Sequence, residues 1–349
     1  MTEIEKPYKS IDEQITLLKK RNLRFITEKS AKESLINYGY YEIINGYKHE
    51  FMLDPSNDEK GFKLGTNFEH IYSLYKLDHN IRDSMRESLE NFEQMFKQSL
   101  SYMISRDISE DQTRYTAKSH YNAGRSHTYR RHGHVITKTD RDKLLNKTFK
   151  NILDSDFEPY NYYRNEHGNI PPWIMVKGLT FGATIYWFNL SKPRIREAVI
   201  SRMIGLEIPV MQAVDSQLKI KRAFGDCLNL YLDYRNISSH GGRIYNHRSN
   251  KHKIRNYSPF IYQRDDIVKQ SKRQFTNGNL RSSVGAVLRT LNMFENKDPY
   301  FNLEVMLEIH LHNHLKNYPQ DFDFLMNEME LKNTFVEKTL LNEDDLELK

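Results

Sequence analysis

Cysteine and the turn-forming residues are scarce in this chain of 349 residues, which has one cysteine, 15 glycines and 10 prolines. Glycine and proline together make up about 7% of the residues, against roughly 12% in average proteins. So few turn formers favour long helices. No Asn-Gly or Asp-Gly pair lies between alternating apolar segments, so hairpin signals are weak. We therefore expect a mostly α fold.

Other absences narrow the function. The single Cys227 excludes a disulfide within the chain and any cysteine-based zinc site. No segment approaches the ~20 apolar residues of a membrane span, and residues 1–6 have no apolar signal-peptide core. No P-loop, dinucleotide-binding fingerprint or HExxH motif occurs. We expect a cytoplasmic protein that needs no cofactor or metal and does not associate with a membrane.

The residues that are present suit a polyanionic partner. The net charge is +6, and charged residues make up 28% of the chain. A basic surface attracts nucleic acid, although many soluble proteins carry a similar excess. The charge alone therefore leaves both interpretations open.

The length indicates two domains, or one domain with a large extension. We predict an N-terminal helical segment over residues 1–60 and a helical core over residues 61–258, with a basic insertion at 110–170. A C-terminal helical extension over residues 259–349 is predicted to end in an acidic tail.

Two long amphipathic helices are the clearest features of the predicted core. Apolar residues recur at helical spacing from Phe68 to Met103, over roughly 35 residues. A second such pattern begins at Pro209, a residue suited to a first helical turn, and runs through Leu232. The pair Gly241-Gly242 fits the exit of that helix.

Two polar, basic segments are predicted to be loops. Residues 110–145 include Arg130 and Arg131, and residues 246–258 include Arg248 and Lys251. Both segments are typical of phosphate-backbone contacts or of solvated loops, and their composition does not decide between the two.

An arginine interrupts the apolar stripe of the second long helix. At 100° per residue, Arg235 lies about 20° from Leu228 around the helix axis. An unpaired buried guanidinium is costly, so Arg235 must either be paired, with Asp233 as a candidate partner, or face a polar cleft. His240 follows five residues later, about 140° around an ideal helix. The two side chains converge only if the final turn loosens or if a second copy supplies half of the site.

These residue types suit the cleavage of RNA without a metal. Histidine titrates near neutrality, so His240 can act as a base toward the ribose 2′ hydroxyl or as an acid toward the leaving oxygen. Arg235 can grip two phosphate oxygens, and Asn236 can orient the phosphate or the hydroxyl. Arg243 and Asn246 follow closely and can hold a phosphate. The alternative is a structural Arg–carboxylate pair and a helix-capping His240.

The segment from Asp233 to Asn246 resembles the pattern R-N-x3-H-x2-R-x-(W/Y)-N of the AbiD/AbiF-like abortive-infection proteins. That pattern matches the R-(N/D/H)-x3–5-H motif of HEPN ribonucleases. Gly241 and Tyr245 stand where related chains often carry His and Trp. Further similar segments are Ser10–Ile15 with Leu18, Tyr40-Tyr41 with Gly46-Tyr47, Ile71–Asp78 with Arg82, and Trp173 with Leu179–Gly182.

The resemblance implies a HEPN-type helical bundle that works as a homodimer, because HEPN nucleases usually join two motif copies. It implies a metal-independent endoribonuclease in phage defence or a toxin–antitoxin pair, with Arg235, Asn236 and His240 at the site. A non-catalytic binder of a structured non-coding RNA and a latent phage sensor are the alternatives.

Two weaker patterns also occur in the sequence. His310 and His314 share a helix face at metal-ligand spacing, for which a solvated helix face is the simpler interpretation. Arg164-Asn165-Glu166-His167 is similar to the motif but one spacer short, and we predict that it lies in a loop.

Overall fold

The computed structural model describes residues 8–131 and 134–331. Within them the fold is mostly helical, which confirms the predicted class. None of the described helices combines the length and the hydropathy that crossing a membrane requires. The predicted acidic tail at residues 342–347 lies outside the described residues.

The described residues form seventeen α-helices, two π-helical turns, five 3₁₀ turns and two strands. The α-helices are α1 (Ile11–Lys20), α2 (Glu28–Tyr38), α3 (Phe68–Asp107), α4 (Gln112–Tyr115), α5 (Asp140–Lys143), α6 (Lys150–Leu153), α7 (Tyr160–His167), α8 (Pro172–Met175), α9 (Phe181–Leu190), α10 (Pro193–Ile204), α11 (Ile208–Leu218), α12 (Ile220–Ser239), α13 (Pro259–Tyr262), α14 (Lys272–Thr276), α15 (Val284–Leu291), α16 (Asp298–Leu315) and α17 (Phe322–Met329). The π-helical turns are Tyr41–Asn45 and Leu144–Phe149, and the 3₁₀ turns are Lys48–Phe51, Asp58–Lys60, Lys118–His120, Val176–Gly178 and Pro319–Asp321. The strands are β1 (Ser126–Arg131) and β2 (His134–Thr139).

Helix α3 is the centre of the fold, and it confirms the first predicted long helix. Its 40 residues contain no glycine or proline, and the Asn67 side chain caps its start by accepting the His70 N–H at 2.8 Å. Helices α10, α12 and α16 pack along it. At its middle, the Phe92 ring meets the rings of Tyr231 and Phe294 edge-on, at centroid distances of 4.7 and 4.8 Å. Elements from both ends of the described chain therefore share the core built around α3.

The predicted second long helix is two helices, so that prediction was wrong in this respect. Lys219 adopts a left-handed conformation (φ +59°) between α11 and α12. The break is held by hydrogen bonds: the Ser258 hydroxyl donates to the Leu218 carbonyl at 2.5 Å, and the Asp215 carboxylate accepts the Lys221 N–H at 2.8 Å. A periodic apolar pattern runs through such a break unchanged, so the pattern could not reveal it. As a result, α12 is a separate 20-residue helix that packs on α3.

The basic segment over residues 110–145 was predicted as a loop, and this was also wrong. It contains the antiparallel pair β1 and β2, in which Ser126 lies opposite Thr139. The Asp140 carboxylate fixes the base of this hairpin, because it accepts the Arg125 N–H at 2.8 Å and lies 2.8 Å from His127 Nε2. Most of the described strand side chains are exposed, so the strands lack the apolar alternation by which strands are usually recognised.

The solvated helix face expected for His310 and His314 is wrong as well. Both histidines lie on the face of α16 that packs against α3, and His314 is buried. His310 Nε2 lies 3.0 Å from the Ser84 hydroxyl, and His314 Nδ1 lies 2.8 Å from the Ser73 hydroxyl. The helical spacing identified one shared face, but it could not show that the face is covered.

Candidate functional site

The motif occupies a regular helix end. Helix α12 keeps its hydrogen bonding to Ser239, and the His240 N–H donates to the Asn236 carbonyl at 3.0 Å. The Gly242 N–H then reaches back to the Ile237 carbonyl at 3.0 Å, while Gly241 adopts φ +75°. This is the glycine-terminated exit that the sequence predicted.

The regular final turn of α12 keeps the side chains of Arg235 and His240 apart. Because α12 does not loosen before His240, Arg235 and His240 remain about 140° apart around the axis and roughly 7.5 Å apart along it. The loosened final turn that would bring them together is therefore not seen within one chain. Convergence of the two side chains would therefore require a second copy of the protein.

Arg235 has a partner that the sequence did not indicate. Its Nε lies 3.7 Å from Glu93 Oε2 on α3, and the Arg235 side chain keeps 31% of its exposure. Glu93 is buried, and its other oxygen lies 2.7 Å from Lys97 Nζ. Asp233, which the sequence offered as a partner, instead lies 2.9 Å from His247 Nε2. In residues 8–131 and 134–331 the Arg235 guanidinium makes no hydrogen bond, so the neighbouring carboxylate orients it without occupying its donors.

The other two predicted catalytic residues face solvent. Asn236 and His240 are exposed, and neither side chain has a hydrogen-bond partner among the described residues. The last turn of α12 and the residue before it thus present an imidazole and an amide, together with a guanidinium that is ion-paired with Glu93 but makes no hydrogen bond among the described residues. Such groups are free to bind a ligand.

The residues after the motif are held by one buried carboxylate. Asp78 of α3 is fully buried, and its Oδ1 accepts the N–H groups of Ile244 and Tyr245 at 3.0 and 2.7 Å. Its Oδ2 accepts the Tyr47 hydroxyl at 2.7 Å. Burial raises the pKa of Asp78, and these three hydrogen bonds act in the opposite direction. Asp78 therefore anchors the segment that leaves the helix end.

Two arginines complete this support. Arg82 donates to the Gly241 carbonyl at 3.1 Å, directly beside His240. Arg243 donates to the Gly46 carbonyl, and its guanidinium lies 6.0 Å from the centroid of the Tyr47 ring. Arg243 is exposed but already engaged, so the structure gives it a positioning contact in addition to any contact with phosphate.

The remaining predicted RNA contacts are dispersed. Asn246 is half-buried, Lys251 is exposed, and the exposed Arg248 donates to the Glu328 carbonyl. Arg130 is exposed on β1, and Arg131 lies on the same strand with its side chain outside the described residues. Within the described parts of the chain, no hydrogen bond or ion pair joins the hairpin to α12.

The second, weaker motif has a structural use. Arg164 lies on α7 and not in the loop that we predicted. Its guanidinium donates to the carbonyls of Leu153 and Ser155, both at 2.8 Å, and thereby holds the turn that precedes α7. These contacts give Arg164 a structural role.

Comparison with known proteins identifies the family of this chain. The sequence model of the family described as "Abi-like protein" matches residues 33–246, which is more than half of the chain. The chain belongs to the Abi-like family. This membership places it among the abortive-infection proteins of phage defence. No curated protein and no solved structure matches the chain.

The matched region of this Abi-like protein contains the whole helix-end site, by which we mean Arg235, Asn236 and His240 at the end of α12. It begins in α2, includes α3 with Asp78 and Glu93, and ends at Asn246, the last residue of the motif. Family membership therefore covers both the motif and the helix that supports it.

The glycine exit gives a test of this helix end. At Gly241 an added Cβ meets open space, but φ +75° strains any side chain, so Gly241→Ala should lower the free energy of unfolding by about 1 kcal/mol. Gly225, within α12, also has open space and an ordinary helical conformation, so Gly225→Ala should raise it by roughly 0.5–1 kcal/mol. Urea unfolding of both variants measures the two changes in the free energy of unfolding, which should have opposite signs. Equal stabilities would show that the exit geometry is wrong.

Proposed function

We propose that this Abi-like protein is a metal-independent endoribonuclease of the HEPN type. The observation that carries the proposal is the exposed end of α12, where Arg235, Asn236 and His240 have no internal hydrogen-bond partners. A histidine, an arginine and an amide suit RNA cleavage without a metal. The rigid attachment of the following segment to Asp78 favours a preorganised site.

In the proposed reaction, the ribose 2′ oxygen attacks the adjacent phosphorus and the bond to the 5′ oxygen of the next nucleotide breaks. His240 takes the proton of the 2′ hydroxyl and then, as an imidazolium, donates it to the leaving 5′ oxygen. Arg235 binds the non-bridging oxygens, where negative charge increases in the transition state. The products are a 2′,3′-cyclic phosphate and a 5′ hydroxyl, and no water or metal takes part in this step.

We further propose that the working site forms between two copies of the chain. Within one chain α12 holds Arg235 and His240 on different sides of the helix. The exposed helix end can meet the same surface of a second molecule, as a two-fold dimer requires. Arg235 of one copy would then face His240 of the other.

The direct test is the incubation of purified protein with RNA in excess EDTA, followed by mapping of the product ends. We expect cleavage to continue and the upstream fragments to carry 2′,3′-cyclic phosphates. Products with 3′ hydroxyl ends, or cleavage that stops at once with EDTA and returns with magnesium, would reject the proposed chemistry. Circular dichroism in the same buffer shows whether the protein remains folded.

A non-catalytic RNA-binding protein is the second candidate, favoured by the exposed Arg130 and Lys251. If both contact phosphate, Arg130→Ala and Lys251→Ala should each weaken RNA binding for all sequences. Each should also reduce the slope of the logarithm of the binding constant against the logarithm of the salt concentration by about 1. Arg248→Ala is the matched comparison, because the contact of Arg248 with Glu328 leaves fewer free donors. Unchanged slopes would remove these residues from the RNA interface. Binding of this kind without any cleavage would favour the second candidate.

A further inference from the structure

Two histidines and an aspartate from distant parts of the chain converge away from the helix-end site. His70 lies in the first turn of α3, His314 lies in the last turn of α16, and Asp321 directly precedes α17. His70 Nε2 and His314 Nε2 lie 2.7 and 3.0 Å from the same oxygen, Asp321 Oδ2. One potential ligand atom from each residue lies within 4.8 Å of the other two.

The cluster is buried and its rings are held in place. The side chains of His70 and Asp321 are each 12% exposed, and that of His314 is 2% exposed. The Ser73 hydroxyl lies 2.8 Å from His314 Nδ1 on the far side of the ring. Tyr318 stacks on His70 with ring centroids 3.9 Å apart and planes 3° apart. Outer contacts of this kind orient the histidine ligands of metal sites.

We propose that these three residues bind one Zn²⁺ ion through His70 Nε2, His314 Nε2 and a carboxylate oxygen of Asp321. Two imidazole nitrogens disfavour Mg²⁺ and Ca²⁺, which prefer oxygen ligands. A buried site with three protein ligands suits a four-coordinate ion, which needs one further ligand, better than octahedral Fe²⁺, which needs three.

The two distances from Asp321 Oδ2 to the histidine nitrogens require only a small adjustment. Bonds of about 2.0–2.1 Å in a tetrahedral site separate neighbouring ligand atoms by about 3.3 Å. The present separations of 2.7 and 3.0 Å would therefore open by about 0.6 and 0.3 Å. Each imidazole would bind zinc through Nε2 and keep its hydrogen on Nδ1, and the His314 Nδ1–H would then donate a hydrogen bond to the Ser73 hydroxyl.

The ion would stabilise the parts of the chain that hold the motif in place, and it would not take part in RNA cleavage. It would join the start of α3 to the segment that leads into α17, where the Phe324 ring lies 5.9 Å from that of Tyr245. Tyr245 is one of the three residues that donate hydrogen bonds to the Asp78 carboxylate. The zinc proposal does not depend on the proposed nuclease activity.

The test measures metal content and not RNA cleavage. The full-length protein is exposed to zinc, passed through a desalting column and analysed by mass spectrometry for metals. The ligand variants are His70→Gln, His314→Gln and Asp321→Asn. His310→Gln is the matched control, because His310 lies one turn before His314 on α16 and contacts Ser84, outside the cluster.

We expect about one zinc ion per chain in the wild-type protein and in His310→Gln. The ligand variants should bind zinc at least tenfold more weakly, since the loss of an outer-shell contact alone costs roughly 10–100-fold in metal affinity. Cobalt-loaded wild-type protein should show the intense visible absorption of a four-coordinate ion. This spectrum decides the question if a ligand variant fails to fold.

Three results would overturn the proposal: wild-type protein without stoichiometric metal, stoichiometric iron in place of zinc, or ligand variants that retain zinc as well as His310→Gln. The first and third would identify the cluster as a hydrogen-bonded contact between α3 and α16. None of these results bears on whether RNA is cleaved, so the two proposals can fail separately.

Discussion

Arg235→Ala is expected to lower the rate of RNA cleavage by about a hundredfold to a thousandfold, the loss that follows removal of one donor to a transition-state oxyanion. The protein should stay folded, because Lys97 still pairs with Glu93 at 2.7 Å after the guanidinium is removed. Arg235→Lys should have intermediate activity, since it keeps the charge but loses the bidentate contact with two phosphate oxygens. Single-turnover cleavage rates measure these effects.

His240→Ala should reduce the rate by about a hundredfold to ten-thousandfold, the range for loss of a general acid or base. Arg222→Ala on α12 and His312→Ala on α16 are the matched controls, because both side chains are exposed and lie outside the site. We expect both controls to cleave RNA at the wild-type rate. Full activity in either site variant would remove that residue from the mechanism.

The second large effect is expected at Asp78. Asp78→Ala leaves the N–H groups of Ile244 and Tyr245 and the Tyr47 hydroxyl without their acceptor. Each buried unsatisfied group costs roughly 1–3 kcal/mol, so the free energy of unfolding should fall by about 3 kcal/mol or more. Asp78→Asn retains the shape and one acceptor oxygen, so its loss should be smaller.

Urea unfolding measures this loss, with Asp83→Ala as the control on the same helix. Asp83 is exposed, with ion pairs at 3.4 Å to His79 and 3.9 Å to Arg86, so its removal should change stability by no more than about 0.5 kcal/mol. If Asp78→Ala were as stable as Asp83→Ala, the anchoring role of the buried carboxylate would be refuted.

The sequence predicted the local features well. Helix α3, the exit at Gly241-Gly242 and the face shared by His310 and His314 all follow from spacing along one segment. The break at Lys219 and the hairpin at β1 and β2 were missed. One of the two contacts that hold the break comes from the remote Ser258, and the exposed strands have no apolar face.

The partners of the site were missed because each lies far away in the sequence. Glu93 and Asp78 both occupy apolar-stripe positions of α3, as Arg235 does on α12, and the same reasoning would have identified them as buried charges that need partners. It would not have shown which partners they find. The similarity to abortive-infection proteins included Asp78, Arg82 and Tyr47 without giving them a role.

The most direct test of the proposed site uses two inactive variants together. Arg235→Ala and His240→Ala chains with different tags are co-expressed, and the mixed dimer is purified through both tags. Each mixed dimer then contains one complete site, formed by Arg235 of one chain and His240 of the other. We predict roughly half of the wild-type cleavage rate. A mixed dimer as inactive as either variant alone would contradict a site shared between two copies.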